Sequence, residues 1–217
     1  MKMSFFFDTI LILIVIILVT LGLIFVFHFI PGNKKETIVR PKLPPEALTV
    51  DNMWKTFNMQ IVKLHELGKY NEAALIAEEA LKLAKEKLNP DHPQIAILLN
   101  NVAALYKIQG KTSEAESLYK QALAIWAKTS GKENPEFAFG LNNLGELYYS
   151  SGKYKEAETM YQQSLQMFEK ILGKNDPSVA TVLDNIANLY KKTERIDKAT
   201  IIEERARLIR ERFKKKK

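Results

Sequence analysis

The chain has 217 residues, 47% apolar and 26% charged, the balance of an ordered protein with room for one domain and an additional segment. It contains no cysteine, which excludes disulfide stapling, zinc fingers and thiol catalysis. The formal charge is +7, but residues 205 to 217 hold eight basic groups against one acid, while residues 31 to 204 balance at 23 of each, so the body is not a basic platform for nucleic acid.

After a short tip, residues 1–4, the stretch from Phe5 to Ile30 is apolar apart from Asp8, Thr9, Thr20, Gly22 and His28, and it stops at Pro31-Gly32. About 20 residues of helix cross the hydrocarbon core, so residues 5–30 are expected to form a single transmembrane helix. A cleaved signal peptide would end in small residues, and Phe25-Val26-Phe27-His28-Phe29-Ile30 has none. Lys34, Lys35, Arg40 and Lys42 follow the span and only Lys2 precedes it, which places the rest of the chain on the cytoplasmic side by the positive-inside rule. Residues 31–50, with Pro41, Pro44 and Pro45, read as a partly stiff linker.

Beyond the linker a block recurs every 42 residues: Gly68-Lys69-Tyr70-Asn71-Glu72-Ala73, Gly110-Lys111-Thr112-Ser113-Glu114-Ala115 and Gly152-Lys153-Tyr154-Lys155-Glu156-Ala157, with a decayed copy at Glu194-Arg195-Ile196-Asp197-Lys198-Ala199. A fixed period of this length marks stacked units that share one core. The columns Phe57, Leu99, Leu141, Leu183, then Ile61, Ala103, Gly145, Ala187, then Leu64, Tyr106, Tyr148, Tyr190 follow i, i+4, i+7 and describe an amphipathic helix with a small residue at a close approach. A second helix follows each turn, with Ala73, Ala115, Ala157, Ala199 and Ala80, Ala122, Ser164, Ala206 as its packing positions. Asn134-Pro135 and Asp176-Pro177 place a capping side chain before a proline at the first helical position, and Asp91-His92-Pro93 is a looser version. Trp54, Trp126, Phe137 and Phe139 are expected in the core or between repeats.

This pattern resembles the tetratricopeptide repeat, whose usual period is about 34 residues with a Leu-Gly-x2-Tyr run and a later Ala. The longer period and the stretch His92-Pro93-x-x-Ala96-x-x-Leu99-Asn100-Asn101-x-Ala103-x-Leu105-Tyr106 are similar to the variety found in kinesin light chains and many bacterial proteins. The resemblance implies an all-α fold: a right-handed superhelix of four helix-turn-helix units over residues 51–213, divided near 51–90, 91–132, 133–174 and 175–213. It also implies a concave groove lined by the first helices and a role in binding proteins or peptides. Asn100 and Asn142 match the asparagines that contact a bound peptide backbone in kinesin light chains, and Asn58 matches by register.

The stripe expected to face the groove is Asn58, Asn100, Asn142 and Asp184, then Val62, Ala104, Glu146 and Asn188, then His65, Lys107, Tyr149 and Lys191. A carboxamide offers both donor and acceptor and can pair with any peptide backbone. The alternative for these amides is inter-repeat bonding, and Asn101, Asn143 and Asn185 are assigned chiefly to it. Lys107 and Lys191 oppose Glu146 and Asp184, so at most a weak acidic preference is expected.

Arg207 and Arg210 replace apolar residues of the earlier copies, which is expected of a solvated terminal unit. Together with Arg205, Arg212 and the tail Lys214, Lys215, Lys216 and Lys217 they could attract anionic lipid, or simply keep a terminal helix soluble and complement its dipole. The histidines are scattered, no phosphate loop or metal-ligand spacing occurs, and neither an enzyme nor a cofactor is expected. The sequence reads as a membrane-anchored protein-interaction scaffold. The alternatives are a constitutive structural subunit of a membrane complex, or tail-mediated binding of anionic lipid or nucleic acid.

Overall fold

A computed structural model describes residues 50–215, all of whose regular elements are helices. They are α1 Val50–Glu66, α2 Tyr70–Lys87, α3 Pro93–Ile108, α4 Thr112–Thr129, α5 Pro135–Ser150, α6 Tyr154–Ile171, α7 Pro177–Lys192 and α8 Ile196–Lys214. The tip, the span expected at residues 5–30, the linker up to residue 49, and Lys216 and Lys217 lie outside the described residues. Among those described, no helix is long and apolar enough to cross a membrane.

The helices begin by two different devices. In α3, α5 and α7 a proline opens the first turn and the preceding side chain caps it: His92 Nδ1 accepts from Gln94 N–H at 3.1 Å, Asn134 Oδ1 from Phe137 N–H at 2.7 Å, and Asp176 Oδ1 from Ser178 N–H at 2.8 Å. The helices α2, α4, α6 and α8 have no side-chain cap, and the turn before each one sets its start. In that turn Lys111 N–H bonds back to Tyr106 O at 2.9 Å and Gly110 N–H to Lys107 O at 3.1 Å, closing the preceding helix with paired bonds that need a left-handed residue. Gly110 supplies it with φ of 74°, and in the fourth unit Glu194 takes the same conformation at 60°.

Helix pairs close on small side chains. Ala73, Ala115, Ala157 and Ala199 are wholly buried, as are Ala80, Ala122 and Ala206 in the second column. Ser164 completes that column and satisfies its hydroxyl by donating to Ala138 O at 2.7 Å. Gly145 is required because Tyr161 lies across it: a Cβ there would sit 2.6 Å from the ring.

Each helix packs on its neighbours in sequence, and in addition the backbones of α3 and α5, and of α5 and α7, come close, whereas those of the even-numbered helices stay farther apart and are bridged by side chains such as Arg205 to Glu169. The odd helices therefore form the inner, more closely spaced layer of a curved stack, and the even helices the outer layer. The first unit is looser, for the backbones of α1 and α3 do not approach as closely as those of α3 and α5.

Candidate protein-binding groove

On the inner layer the two asparagine columns are joined. Asn143 Nδ2 donates to Asn100 Oδ1 at 3.0 Å, and Asn185 Nδ2 to Asn142 Oδ1 at 2.9 Å, each bond linking one unit to the unit before. Both acceptors are buried. Asn142 Nδ2 turns along its own helix to Glu146 Oε1 at 3.0 Å, and Glu146 Oε2 accepts from Lys107 Nζ at 2.7 Å. The first-column amides expected in the groove thus spend their carbonyls on stacking. Asn101 departs from its expected stacking role: it makes no such bond, and Asn58 Oδ1 is enclosed without a partner. There the backbones of α1 and α3 are farther apart than those of α3 and α5.

Around this network a cavity of about 410 Å³ is lined by Lys107, Ile108, Glu146, Tyr149, Ser150, Tyr161, Asn185 and Asn188. It brings together four residues of the expected stripe. Lys107 and Glu146 neutralise one another there, so the cavity has no net preference of sign. Burial, and then the Glu146 carboxylate, push the Tyr161 phenol upward, which keeps it a neutral hydrogen-bonding group. Asp184 and Lys191 do not join the cavity. Arg210 Nη1 reaches from α8 to Asp184 Oδ1 at 3.2 Å, and Lys191 pairs with Glu203.

Toward the other end of the odd helices lies a cleft of about 350 Å³, whose walls include Ile97, Asn100, Asn101, Phe139, Phe168 and Leu172. Phe139 is 52% exposed, so of its two expected places it takes the one between repeats and not the core; Trp54, Trp126 and Phe137 are buried. Phe139 falls three residues before Asn142 and seven before Glu146, on the helical face that looks inward.

Between the outer and inner layers runs a second recurring contact that the sequence reading missed. In the second, third and fourth units the cation after the left-handed turn residue lies over the tyrosine of its own unit: Lys111 at 4.5 Å from the Tyr106 ring, Lys153 at 5.4 Å from Tyr148, Arg195 at 4.2 Å from Tyr190. The same cation reaches back to the preceding unit, Lys153 to Glu116 Oε2 at 3.3 Å and Arg195 to both oxygens of Glu158 at 2.8 and 2.9 Å. Tyr148 Oη also donates to Glu116, at 3.0 Å. Hydrogen bonding from Lys120 above all holds the Glu116 carboxyl down to about 2, with Tyr148 and Lys153 assisting against the cost of burial. In the first unit Ala74 stands where Glu116 and Glu158 stand later, and Tyr106 Oη uses Glu78 instead at 2.8 Å. The persistence of Lys69, Lys111, Lys153 and Arg195 after the turn, even where the glycine is lost, was the available clue.

The basic residues near the C-terminus are largely engaged. Arg205 pairs with Glu169, Arg207 with Glu204 and Glu211, and Arg210 with Asp184, while Lys214 ends α8 and Lys215 caps it.

The tetratricopeptide repeat family model matches residues 62–128 and 136–212. Among solved structures, BtubC (BKLC) from P. vanneervenii is similar at 28% identity and a TM-score of 0.64, over 73% of this chain and 62% of that one. This chain therefore spans less than two thirds of that relative. The nearly identical TPR-like repeats of a Podosopora anserina protein described as a kinesin light chain are similar at 22% identity and a TM-score of 0.62, over 78% of this chain and 81% of that one. A second structure of such repeats gives 18% identity and a TM-score of 0.50, over 74% and 96%. These two likenesses are of fold. Among curated proteins none matches the chain.

Proposed function

We propose, because the chain belongs to the tetratricopeptide repeat family, that it is a non-enzymatic scaffold that holds an extended protein segment against its inner layer. The fold is generally a protein-interaction scaffold. The finer reading is that the four units wind as a right-handed superhelix, that residues 5–30 anchor them in a membrane with the repeats on the cytoplasmic side, and that the partner is recruited there. One observation carries the binding site: Lys107, Glu146, Tyr149 and Asn188 converge with Asn185 on one cavity of the inner layer. Its charges cancel and its phenols and amides remain, a surface suited to polar backbone groups rather than to a charged side chain.

A photoreactive residue at Asn188, on the inner layer, compared with one at Leu75, on the exposed side of an outer helix, tests this in native membranes. Adducts from position 188 are expected. Adducts from position 75 alone would overturn the groove reading.

The second reading is permanent packing as a subunit of a membrane complex. It is favoured by the carbonyls of Asn100 and Asn142, which are already occupied by the next unit. Adducts at both positions 188 and 75 to one partner, resistant to competition by excess soluble domain, would support it.

A further inference from the structure

Positions 198, 201, 205, 208, 212 and 215 of the last helix follow the three-four spacing of a single helical face. They are Lys198, Ile201, Arg205, Leu208, Arg212 and Lys215; Asp197, in the first turn, is the one carboxylate within the same arc, so the carboxylate-free part of the face runs from Ile201 to Lys215. A different face of α8 holds it to the domain, through Ala199, Ala206 and Ile209. On the stripe Ile201 is 70% exposed and Leu208 39% exposed.

The cations of the stripe differ in what opposes them. Arg205 is held by Glu169, and Lys198 has the Glu158 carboxylate near it. Arg212 meets only a neutral amide oxygen, Asn175 Oδ1 at 3.2 Å. Lys215 and the adjoining Lys214 are exposed and have no carboxylate partner among the described residues. The stripe thus combines two exposed aliphatic side chains with uncompensated positive charge near the end of the helix.

That combination matches the headgroup layer of an anionic bilayer, where aliphatic side chains enter the acyl boundary and cations stay at phosphate depth. Nucleic acid would satisfy the cations and leave Ile201 and Leu208 in water. A docked peptide helix would require a groove, which the convex side of one helix does not provide. We propose that this face of α8 lies on an anionic membrane leaflet and leaves the inner layer free for a partner. The proposal rests on the membrane placement proposed above, and the following experiment separates the two.

The chain has no cysteine, so Ile201→Cys and Asn188→Cys can each carry one environment-sensitive nitrobenzoxadiazole probe in the full-length protein. The labelled chain is added to vesicles of phosphatidylcholine alone, or with about one third phosphatidylserine, and flotation and probe emission are both read. The expected result is a blue-shifted, severalfold brighter signal from position 201 in the anionic vesicles only, with position 188 unchanged. Replacing Arg212, Lys214 and Lys215 together by Gln is expected to weaken that response about tenfold or more, as is raised salt.

Flotation with both lipids while position 201 keeps an aqueous emission would overturn the α8 contact and leave the anchor standing. Flotation confined to the anionic vesicles, with the shift at position 201, would support the contact and remove the anchor. A response at position 201 to an added oligonucleotide, and none to phosphatidylserine, would overturn the contact in favour of nucleic acid. Leu208→Cys provides a second probe site on the same stripe, so the answer does not depend on one variant's folding.

Discussion

Asn143 donates its side-chain amide to the carbonyl oxygen of Asn100, 43 residues earlier, at 3.0 Å, and Asn185 repeats the bond to Asn142 at 2.9 Å. Truncating the donor leaves a buried acceptor without a partner, a loss of about 1 to 3 kcal/mol. Asn143→Ala is therefore expected to lower the urea midpoint clearly, and Asn101→Ala, which breaks no such bond, to lower it less. A double-mutant cycle on Asn100 and Asn143 should return a coupling of at least about 0.5 kcal/mol; additivity would show that the bond contributes nothing to the stack.

Gly145 is held against the Tyr161 ring, with 2.6 Å between an added Cβ and Cδ1. Tyr161 is buried and cannot swing away, so Gly145→Ala is expected to destabilise by about 1 to 3 kcal/mol despite the better helix propensity of alanine. Calorimetry of this variant beside Ala103→Gly, at the matching position of the second unit, checks the cause. Equal small effects would mean that Tyr161 accommodates the methyl.

Glu194 is the one described non-glycine residue with positive φ, at 60°. A left-handed conformation costs a side-chain-bearing residue about 1 to 2 kcal/mol, offset partly by the greater freedom of glycine in the unfolded chain. Glu194→Gly should accordingly raise stability by a few tenths to about 1 kcal/mol. A fall in melting temperature would show that the Glu194 side chain contributes more than its strain removes.

Glu116 sits between Lys120, Lys153 and Tyr148, and its carboxyl is depressed from the ordinary 4.5 to about 2 in the folded chain. A depressed folded-state pKa stabilises above the unfolded value and loses that contribution as pH falls through the folded one. Wild type should therefore lose stability relative to Glu116→Gln as pH falls from about 4.5 to about 2, and the two should converge near the lower end. Urea titrations at several pH values read this directly. A constant gap between the two proteins across that range would mean that the carboxylate is not the source.

Much of the fold is legible in the residues because its causes are local. The caps at Asn134 and Asp176, the left-handed turn at Gly110 and the alanine columns each depend on neighbours within one turn or one hairpin, and all appear at the expected positions. The candidate site was legible only in part. Lys107, Glu146, Tyr149 and Asn188 could be placed on one surface by angle alone, whereas Asp184 could not be seen to be taken by Arg210. For Phe139 residue type leaves core and inter-repeat positions open, and its angular position, shared with Asn142 and Glu146, puts it on the inner face.

The 42-residue period by itself determined the kind of helices, their order and the small residues at which they close. Tertiary structure alone decided which side chains meet across the units. Asparagine pairs with asparagine at a separation of 43 residues, and Lys153 and Arg195 reach glutamates at a separation of 37. Neither separation equals the period, because contact between successive units depends on how far each is turned and shifted on the last. A repeat in the sequence records the unit and leaves that displacement to packing.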